Sequence, residues 1–158
     1  MEFIRYENIE DFMKENFELI LEKEWLNCLM VGNCLEGQKI GIDGWLLAKV
    51  TQNEKTELIM LYRKPWKLIM YSPTNNTSEE LFKFAAEEVY KIDNNLLGVN
   101  GEVKIANKFA KYYCEVAKKQ YSLIRPMKIL LLEKLRTMEL QQDLKFRTAT
   151  LEDKQQLI

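Results

Sequence analysis

Residues 45–71, WLLAKVTQNEKTELIMLYRKPWKLIMY, decide the fold of this chain. They contain three apolar segments, Trp45 to Thr51, Glu57 to Arg63 and Trp66 to Tyr71, which are rich in residues that favour β-strands. The connections Gln52 to Lys55 and Lys64-Pro65 are short enough for hairpins. The stretch therefore predicts three antiparallel strands that lie side by side.

Two of these segments are apolar without interruption. Leu58 to Leu61 and Leu68 to Met70 do not alternate between apolar and polar residues. Successive side chains of a strand point to opposite faces, so an unbroken apolar run indicates a sheet that is covered on both faces. We therefore expect helices on each side of the strands.

The residues before the strands have two helical patterns. Asn8 is the predicted N-cap of the first helix, with Asp11 at its third position. Its apolar stripe comprises Ile9, Phe12, Met13, Phe17, Ile20 and Leu21. The second helix has little polar surface, because it contains Trp25, Leu26, Leu29, Met30 and Val31, and Gly37 is its predicted end. A helix of this kind is expected to be buried or to form an interface.

The residues after the strands predict two more helices and further short strands. Thr77-Ser78-Glu79-Glu80 has the pattern of a capping box. The buried face of the helix that follows comprises Leu81, Phe84, Ala85, Val89 and Ile92, and Asp93 to Asn95 close it. Leu96 to Val99 predicts a short strand, Asn100-Gly101 a turn, and Val103 to Ala117 an amphipathic helix.

The last element of this series is a strand over Tyr121 to Ile124 and Met127 to Glu133, interrupted at Pro126. The complete order is helix, helix, three antiparallel strands, helix, strand, helix and strand. It predicts an α/β (α+β) fold in which a mixed, mainly antiparallel sheet has helices on both faces.

The composition is that of a folded domain. Hydrophobic residues make up 47% and charged residues 30% of the 158 residues, with a net charge of -1. We expect no nucleic-acid partner and no membrane partner, because the chain has no strong positive field. The longest nearly uncharged run, Trp25 to Leu35, is too short to span a bilayer. The acidic N-terminal residues differ from a basic targeting peptide, so we expect a cytoplasmic protein.

The chain contains no histidine, which excludes Ser-His-Asp and Cys-His catalysis and removes the commonest transition-metal ligand. The three cysteines, Cys28, Cys34 and Cys114, are odd in number and lie in apolar segments. We predict that they are buried free thiols.

The last fourteen residues, Lys145 to Ile158, have the pattern of the start of a domain. Phe146, Thr148 and Thr150 alternate with other residues as in a short strand, and Thr150 precedes Asp153 by three residues, as an N-cap would. A strand and cap cannot bury an apolar face alone. We therefore predict a first domain over residues 1–135, a polar linker over residues 136–144, and the first strand and helix start of a second domain over residues 145–158.

Two features resemble the GNAT superfamily of N-acetyltransferases. Residues 147–153 are similar to the Arg-x-Ala-Thr-x-x-Asp opening of many GNAT domains. The element order of residues 8–133, with Gly98-Val99-Asn100-Gly101 and Met127 to Leu135, resembles the front half of bacterial proteins that join two GNAT-like domains in tandem. The resemblance implies that the parent protein uses acetyl-CoA to acetylate a small-molecule or peptide amine.

The cofactor motif of this superfamily is Arg/Gln-x-x-Gly-x-Gly/Ala between the fourth strand and the next helix, where backbone N–H groups hold the pyrophosphate. In this chain the corresponding residues are Tyr71 to Ser78, which include no glycine, and Pro73 has no N–H to donate. The general-acid tyrosine of the family follows an alanine by four residues. If Ala106 is that alanine, the tyrosine position holds Ala110. The resemblance therefore implies a degenerate, non-catalytic copy of the fold.

Other candidate sites have simpler structural interpretations. Gly98 to Gly101 is a turn more readily than a phosphate loop, and Tyr112 and Tyr113 are core residues more readily than general acids. We interpret Trp25, Trp45 and Trp66 as packing residues, and the lysines at 108, 111, 118 and 119 as a solvated helix face. The acidic pairs at 22 and 24 and at 87 and 88 have the same interpretation. We assign no catalytic, cofactor-binding or metal-binding residue to this chain.

Two hypotheses for function follow. In the first, the chain is the N-terminal domain of an acetyl-CoA-dependent N-acetyltransferase. It is itself non-catalytic, and it supports substrate binding, domain orientation or formation of a homodimer. In the second, it is a stand-alone binding or dimerisation module without enzymatic activity, and the apolar second helix is its interface.

Overall fold

Five strands and four long helices make up the described part of the chain, which comprises residues 1–132, 134 and 147–156 of the computed structural model. The strands are β1 (Glu2–Tyr6), β2 (Leu46–Gln52), β3 (Lys55–Tyr62), β4 (Leu68–Tyr71) and β5 (Val99–Asn100). The helices are α1 (Ile9–Leu21), α2 (Glu24–Ile40), α3 (Glu79–Ile92) and α4 (Val103–Ala117), and a 3-10 helix follows at Leu151–Gln156.

The strands form one mixed sheet in the order β1-β2-β3-β4-β5. The first three pairs are antiparallel, with Leu47 opposite Leu61 and Met60 opposite Met70, whereas β4 and β5 are parallel. Asn53 and Glu54 join β2 to β3 with φ of 50° and 64°, as in the two-residue turns that suit a twisted hairpin. The predicted antiparallel hairpins and the mixed, mainly antiparallel sheet are confirmed.

Both faces of the sheet are covered, as the unbroken apolar runs predict. Leu58 and Met60 of β3 pack in one cluster with α3 and α4, whereas Ile59 and Leu61 pack in a second cluster with α1 and α2. All four side chains are fully buried. Alternation along β3 therefore divides its side chains between two cores, and α1 and α2 lie on the opposite face from α3 and α4.

Helix α1 has the predicted cap. The Asn8 side chain accepts a hydrogen bond from the Asp11 N–H at 2.8 Å, which satisfies one of the unpaired donors of the first turn. Phe12 and Ile20 of the predicted stripe are fully buried. The apolar residues before this helix form β1, an edge strand that pairs with β2 and that the sequence pattern did not predict.

Helix α2 continues past the predicted end at Gly37. It ends at Ile40, and Gly41 follows with a φ of 81°. Gly37 is buried within the helix, where an added Cβ would lie 3.1 Å from Ile42 Cγ2. Gly37 therefore allows α2 to pack closely on the loop that follows it. Gly41, with its positive φ, provides the backbone conformation that ends the helix.

The predicted capping box of α3 is wrong. The helix begins at Glu79 with Ser78 as its N-cap, and the Ser78 side chain makes no capping hydrogen bond. Its buried face also differs from the prediction, because Phe82 is fully buried, whereas Phe84 is only partly buried and Ile92 is 37% exposed. The packing of α4 against α3 determines which face of α3 is buried. The sequence pattern of α3 alone does not show this contact.

The strand predicted after α4 is also wrong over the residues that the structure describes. Residues 121–132 have no regular secondary structure and are exposed, and Glu133 lies outside the described residues. Strand β5 is shorter than predicted: it begins at Val99, three residues later than predicted, and ends one residue later, at Asn100 of the predicted turn. The sheet therefore ends at β5 in the described part of the chain.

The described part of the tail has one half of the predicted cap and lacks the predicted strand: the Asp153 side chain bonds to Thr150, whereas the Thr150 side chain accepts no bond from the Asp153 N–H, which donates to the Thr150 carbonyl oxygen. Residues 147–150 form no strand, and the predicted linker, Lys145 and Phe146 lie outside the described residues. The Asp153 carboxylate accepts hydrogen bonds from the Thr150 N–H at 2.7 Å and from Arg147 at 2.6 and 2.7 Å. These bonds lower the pKa of Asp153 to about 2, mainly through Arg147.

Within residues 1–132, 134 and 147–156, no helix combines the length and the apolar character that crossing a membrane requires.

A substitution of Gly101 tests the packing of β5 against β4, and a substitution of Gly32 in α2 is its control. In Gly101→Ala, the new Cβ would lie 2.6 Å from the Met70 carbonyl oxygen of β4, so the variant should lose about 1–3 kcal/mol of unfolding free energy. The matched control is Gly32→Ala in α2, where nothing lies within 4 Å of the added Cβ. It should gain roughly 0.5–1 kcal/mol, since alanine favours a helix interior. Urea denaturation of both variants measures the difference, and equal effects would contradict the described register of β4 and β5.

Candidate functional site

The loop between β4 and α3, residues 72–78, is the segment that the sequence resemblance compares with a GNAT cofactor loop. Three of its backbone donors are used within the loop itself. The Asn75 N–H donates to the Ser72 carbonyl oxygen at 3.3 Å, the Asn76 N–H donates to Ser72 Oγ at 3.1 Å, and the Ser78 N–H donates to Asn76 Oδ1 at 2.9 Å. Pro73 has no N–H. These donors therefore do not point outward to receive a phosphate.

The charges around this loop are unfavourable for an anion. Thr74 Oγ1 donates a hydrogen bond to the carboxylate of Glu57, which is 8% exposed, and Glu79 and Glu80 occupy the first turn of α3. Two ammonium groups contact the loop, since Lys108 Nζ donates to the Thr77 carbonyl oxygen at 2.5 Å and Lys23 Nζ donates to Asn75 Oδ1 at 3.4 Å. The three carboxylates thus outnumber the two lysines at a position where a pyrophosphate would need an excess of cations and N–H donors.

Residues Gly98 to Gly101 form part of the sheet. The Leu68 N–H donates to the Gly98 carbonyl oxygen at 3.0 Å, and Val99 and Asn100 form β5. Gly101 lies against the backbone of Met70, where a side chain would not fit. The glycine at 101 therefore has a packing role, and the N–H and C=O groups of this segment belong to a parallel strand pair.

The two tyrosines considered as general acids are buried in the core. Tyr113 is 4% exposed, and its hydroxyl donates to the Asp93 carbonyl oxygen at 2.5 Å and accepts from the Leu96 N–H at 3.0 Å. Burial raises the pKa of Tyr113. Tyr112 is 3% exposed, and Lys111 and Lys83 lie over its ring. Both tyrosines contribute to the packing of α4, in agreement with the structural interpretation.

Asp93 forms the main polar junction of the described structure. Its carboxylate accepts hydrogen bonds from the Tyr62 hydroxyl at 2.8 Å and from the Asn95 N–H at 2.9 Å, and it lies 3.0 Å from Lys64 Nζ. Burial acts to raise the pKa of Asp93, but these three donors outweigh it and hold the pKa below 3.8. Burial and the nearby Asp93 carboxylate raise the pKa of Tyr62 to about 12. The junction joins β3 to the C-terminal end of α3.

The three tryptophans lie in different environments. Trp45 is partly buried, with the Arg63 guanidinium 4.9 Å from its ring centroid, whereas Trp25 is 48% and Trp66 65% exposed. The packing interpretation is therefore correct for Trp45 and wrong for Trp25 and Trp66. Trp25 lies on an exposed apolar side of α2, and the other exposed apolar residues of that helix are Leu29, Leu35 and Ile40.

Of the lysines at 108, 111, 118 and 119, three make specific contacts, and that of Lys111 is with the Tyr112 ring. Besides Lys108, Lys119 Nζ donates to Asn95 Oδ1 at 2.7 Å, which ties the chain after α4 to the loop before β5. Lys118 lies just beyond the helix, with a φ of 53°. The interpretation as a solvated helix face is therefore incomplete for this group, whereas Glu22, Glu24 and Glu87 are exposed as expected.

The cysteines are free thiols in different environments. Cys34 is buried, which raises its pKa to about 12, and Cys114 is partly buried. Cys28 is exposed, contrary to the prediction. No cluster of three or more Cys, Asp and Glu side chains that could hold a metal ion occurs within the described ranges.

A large depression of the described surface lies at the other end of β4 from the loop. It has a volume of about 820 Å³, and its walls come from α2, from the segment between β3 and β4, and from residues 124–127. A second cleft of about 300 Å³ lies between α4, β5 and residues 119–125. Both depressions are lined by Lys67, Leu97, Asn100, Ile124 and Arg125, so they are continuous around β5.

Sequence reasoning did not find the Asp93 junction or this groove. Asp93 belongs to a polar segment that the pattern marks only as a helix end, and its partners Tyr62 and Lys64 are distant in sequence. Trp66 is the residue whose environment the sequence leaves open. Its side chain is exposed in the structure, and together with the other exposed apolar residues of the groove it marks a candidate binding surface.

Comparisons with protein-family models, with curated proteins and with solved structures find no match for this chain. The fold and the loop define a mixed α/β domain whose loop after β4 is closed by its own side chains.

The Asp93 junction predicts a pH dependence. Because the folded-state pKa of Asp93 is below its ordinary value of 3.8, the ionised carboxylate stabilises the fold above that pH, and this stability is lost as the pH falls through the folded-state pKa. Asp93→Asn should therefore be less stable at neutral pH by roughly 1–3 kcal/mol, and should lose less stability than the natural chain on acidification. Urea unfolding at neutral pH and near pH 3 measures both effects. Asp43→Asn, which changes an exposed carboxylate, is the control and should match the natural chain.

Proposed function

We propose that this chain is the non-catalytic N-terminal domain of a two-domain acetyl-CoA-dependent N-acetyltransferase. Residues 1–135 form a degenerate GNAT-like domain, and residues 145–158 begin the second domain, which binds acetyl-CoA and acetylates a small-molecule or peptide amine. A cytoplasmic location is part of this proposal. The first domain supports substrate binding, domain orientation or dimerisation.

The order of the elements supports the fold part of the proposal. After β1, two helices precede three antiparallel strands, and α3, β5 and α4 follow, which is the order that the resemblance implies as far as α4. The strand that it implies over Met127 to Leu135 is not formed by the described residues 127–132. Strands β4 and β5 are the parallel pair of the sheet. The loop at residues 72–78 follows β4 directly and precedes α3, so it can be compared with the cofactor loop position by position.

The observation that carries the non-catalytic part is the use of the donors in this loop. In a GNAT cofactor loop, backbone N–H groups and the start of the next helix hold the pyrophosphate. Here Ser72 and Asn76 side chains accept the N–H groups of the loop, and Glu57, Glu79 and Glu80 add negative charge. A pyrophosphate would have to break these hydrogen bonds and approach three carboxylates.

The tail supports the second domain. Arg147, Thr150 and Asp153 of the Arg-x-Ala-Thr-x-x-Asp pattern are joined by hydrogen bonds, so the pattern is a local structural unit. All the described hydrogen bonds of residues 147–156 lie within the tail. In the proposal this unit packs on the rest of the second domain.

A calorimetric titration with acetyl-CoA tests the non-catalytic part. We expect the 158-residue chain to show no saturable heat at micromolar concentrations, because the loop donors are engaged. A chain extended beyond Ile158 to include the proposed second domain is the positive arm, and it should bind acetyl-CoA and acetylate an amine. Micromolar binding by the 158-residue chain would refute the degenerate-domain proposal, and an inactive extended chain would refute the enzyme assignment.

Removal of the tail tests the domain boundary. A chain that ends at residue 144 should unfold in urea with a free energy within about 0.5 kcal/mol of the full chain, since the described tail residues make their hydrogen bonds within the tail. A loss of several kcal/mol would mean that the tail is part of the first domain. The control is Asn8→Ala, which removes the α1 cap and should cost about 1 kcal/mol in the same assay.

The alternative, a stand-alone dimerisation module, is favoured by one observation. Helix α2 exposes Trp25, Leu29, Leu35 and Ile40, by between 45% and 61% of each side chain. Apolar residues concentrated on one helix are typical of an interface. Sedimentation of the 158-residue chain tests this interface: the module should form a dimer that Leu35→Glu dissociates, and a monomeric chain would contradict it. Because the first proposal also includes dimerisation, the acetyl-CoA titration of the extended chain is the experiment that separates the two functions.

A further inference from the structure

The groove of about 820 Å³ between α2 and the β3–β4 connection has a definite chemical character. Its floor is apolar: Leu61 is fully buried there, and Ile69 is only partly buried because α2 does not cover it. Its walls add exposed apolar side chains from separate parts of the chain. These are Leu29, Trp66, Leu97, Ile124 and Met127, exposed by between 50% and 70%.

The groove exists because the helices cover the two sheet faces unequally. Helices α3 and α4 pack over Leu68 and Met70 of β4, which are almost fully buried. On the opposite face, α1 and α2 cover β3 and Tyr71 but leave Ile69 at the groove floor. The apolar surface near β5 is therefore accessible within the described part of the chain.

Cations predominate along this groove. It is lined by Arg63, Lys67 and Arg125 and by a single acidic residue, Glu36. The charge of Arg63 is already balanced, because its guanidinium lies 2.7 Å from the Glu36 carboxylate and over the Trp45 ring. Neither Lys67 nor Arg125 takes part in the ion pairs formed among the described residues.

These two cations occupy the place where the groove meets the smaller cleft. Lys67 and Arg125 line both depressions, together with Leu97, Asn100 and Ile124. The region that the two depressions share therefore combines two cations with apolar side chains, whereas Leu29, Trp66 and Met127 line only the groove. The volume also lies in the range of pockets that bind small organic ligands, roughly 300–1,000 Å³.

From these observations we propose that the groove binds an amphipathic organic acid, with the carboxylate held by Lys67 and Arg125 and the apolar body against Trp66, Leu29 and Ile69. Charge-assisted hydrogen bonds from an ammonium and a guanidinium favour a carboxylate over a neutral group of the same size. The apolar body contributes by covering side chains that are otherwise exposed to water. This site is independent of the proposed acetyltransferase function, since it lies at the opposite end of β4 from the loop at residues 72–78.

An NMR titration of the 158-residue chain with octanoate tests the proposal, and the indole N–H signal of Trp66 is the readout. We expect this signal to shift with a dissociation constant of about 1 mM, the order expected for so small a ligand, while the Trp45 signal stays in place. The signals are assigned with Trp66→Phe and Trp45→Phe. Octan-1-ol, which lacks the charge, should bind about tenfold more weakly.

Substitutions in the groove distinguish the contribution of the two cations to octanoate binding from that of the apolar walls. Lys67→Gln combined with Arg125→Gln should weaken octanoate binding about tenfold, and should leave the weak octanol binding unchanged. Leu29→Ser should weaken both ligands. The matched control, Lys14→Gln combined with Lys104→Gln, removes two exposed lysines elsewhere and should leave both affinities unchanged. Amide spectra of each variant show whether the fold is retained.

Three results would each overturn the proposal. The Trp66 signal could stay unchanged at several millimolar octanoate, octanol could bind as tightly as octanoate, or the double variant at Lys67 and Arg125 could bind octanoate as well as the natural chain does. An equal loss of affinity in the lysine control would point to the net charge of the chain as the cause, and would likewise contradict a specific site.

Discussion

The burial of β3 on both faces is the constraint on which the other elements depend. Leu58, Ile59, Met60 and Leu61 are fully buried, and their side chains alternate between the two hydrophobic clusters. A strand of this composition is stable only if each face is covered, since each exposed leucine or isoleucine would cost roughly 1.5–3 kcal/mol. Helices α1 and α2 cover one face and α3 and α4 the other. The hairpins place β2 and β4 on either side of β3, so the whole sheet is arranged around it.

The hydrogen bonds of the Asp93 junction fix which atoms meet, which apolar packing alone does not do. Hydrophobic burial is non-directional, whereas the hydrogen bonds from Tyr62 and Asn95 to the Asp93 carboxylate join particular atoms. Tyr113 of α4 donates to the carbonyl oxygen of the same residue. One residue at the end of α3 thus connects β3, α3 and α4, and it positions the chain that leads into β5.

The two ends of β4 have opposite chemical characters. At the C-terminal end, residues 72–78 use three of their N–H groups within the loop and lie near Glu57 and Glu79, which does not suit an anion. At the N-terminal end, the groove is apolar and carries Lys67 and Arg125. The proposed function depends on the loop at the C-terminal end of β4, and the proposed acid site depends on the groove at the N-terminal end. Either proposal can therefore fail without the other.

The sequence by itself determined strands β2, β3 and β4 and most of the helices, because their signals are local. The apolar runs of β3 and β4, the hairpin at Asn53 and Glu54 and the Asn8 cap all depend on neighbouring residues. Only the tertiary structure decided which residues of α3 face the core, why Gly37 and Gly101 are glycines, and that residues 121–132 form no strand. The groove and the Asp93 junction belong to this second group. Their residues are distant in the sequence, and only the packing of α2 and α4 on a two-faced sheet brings them together.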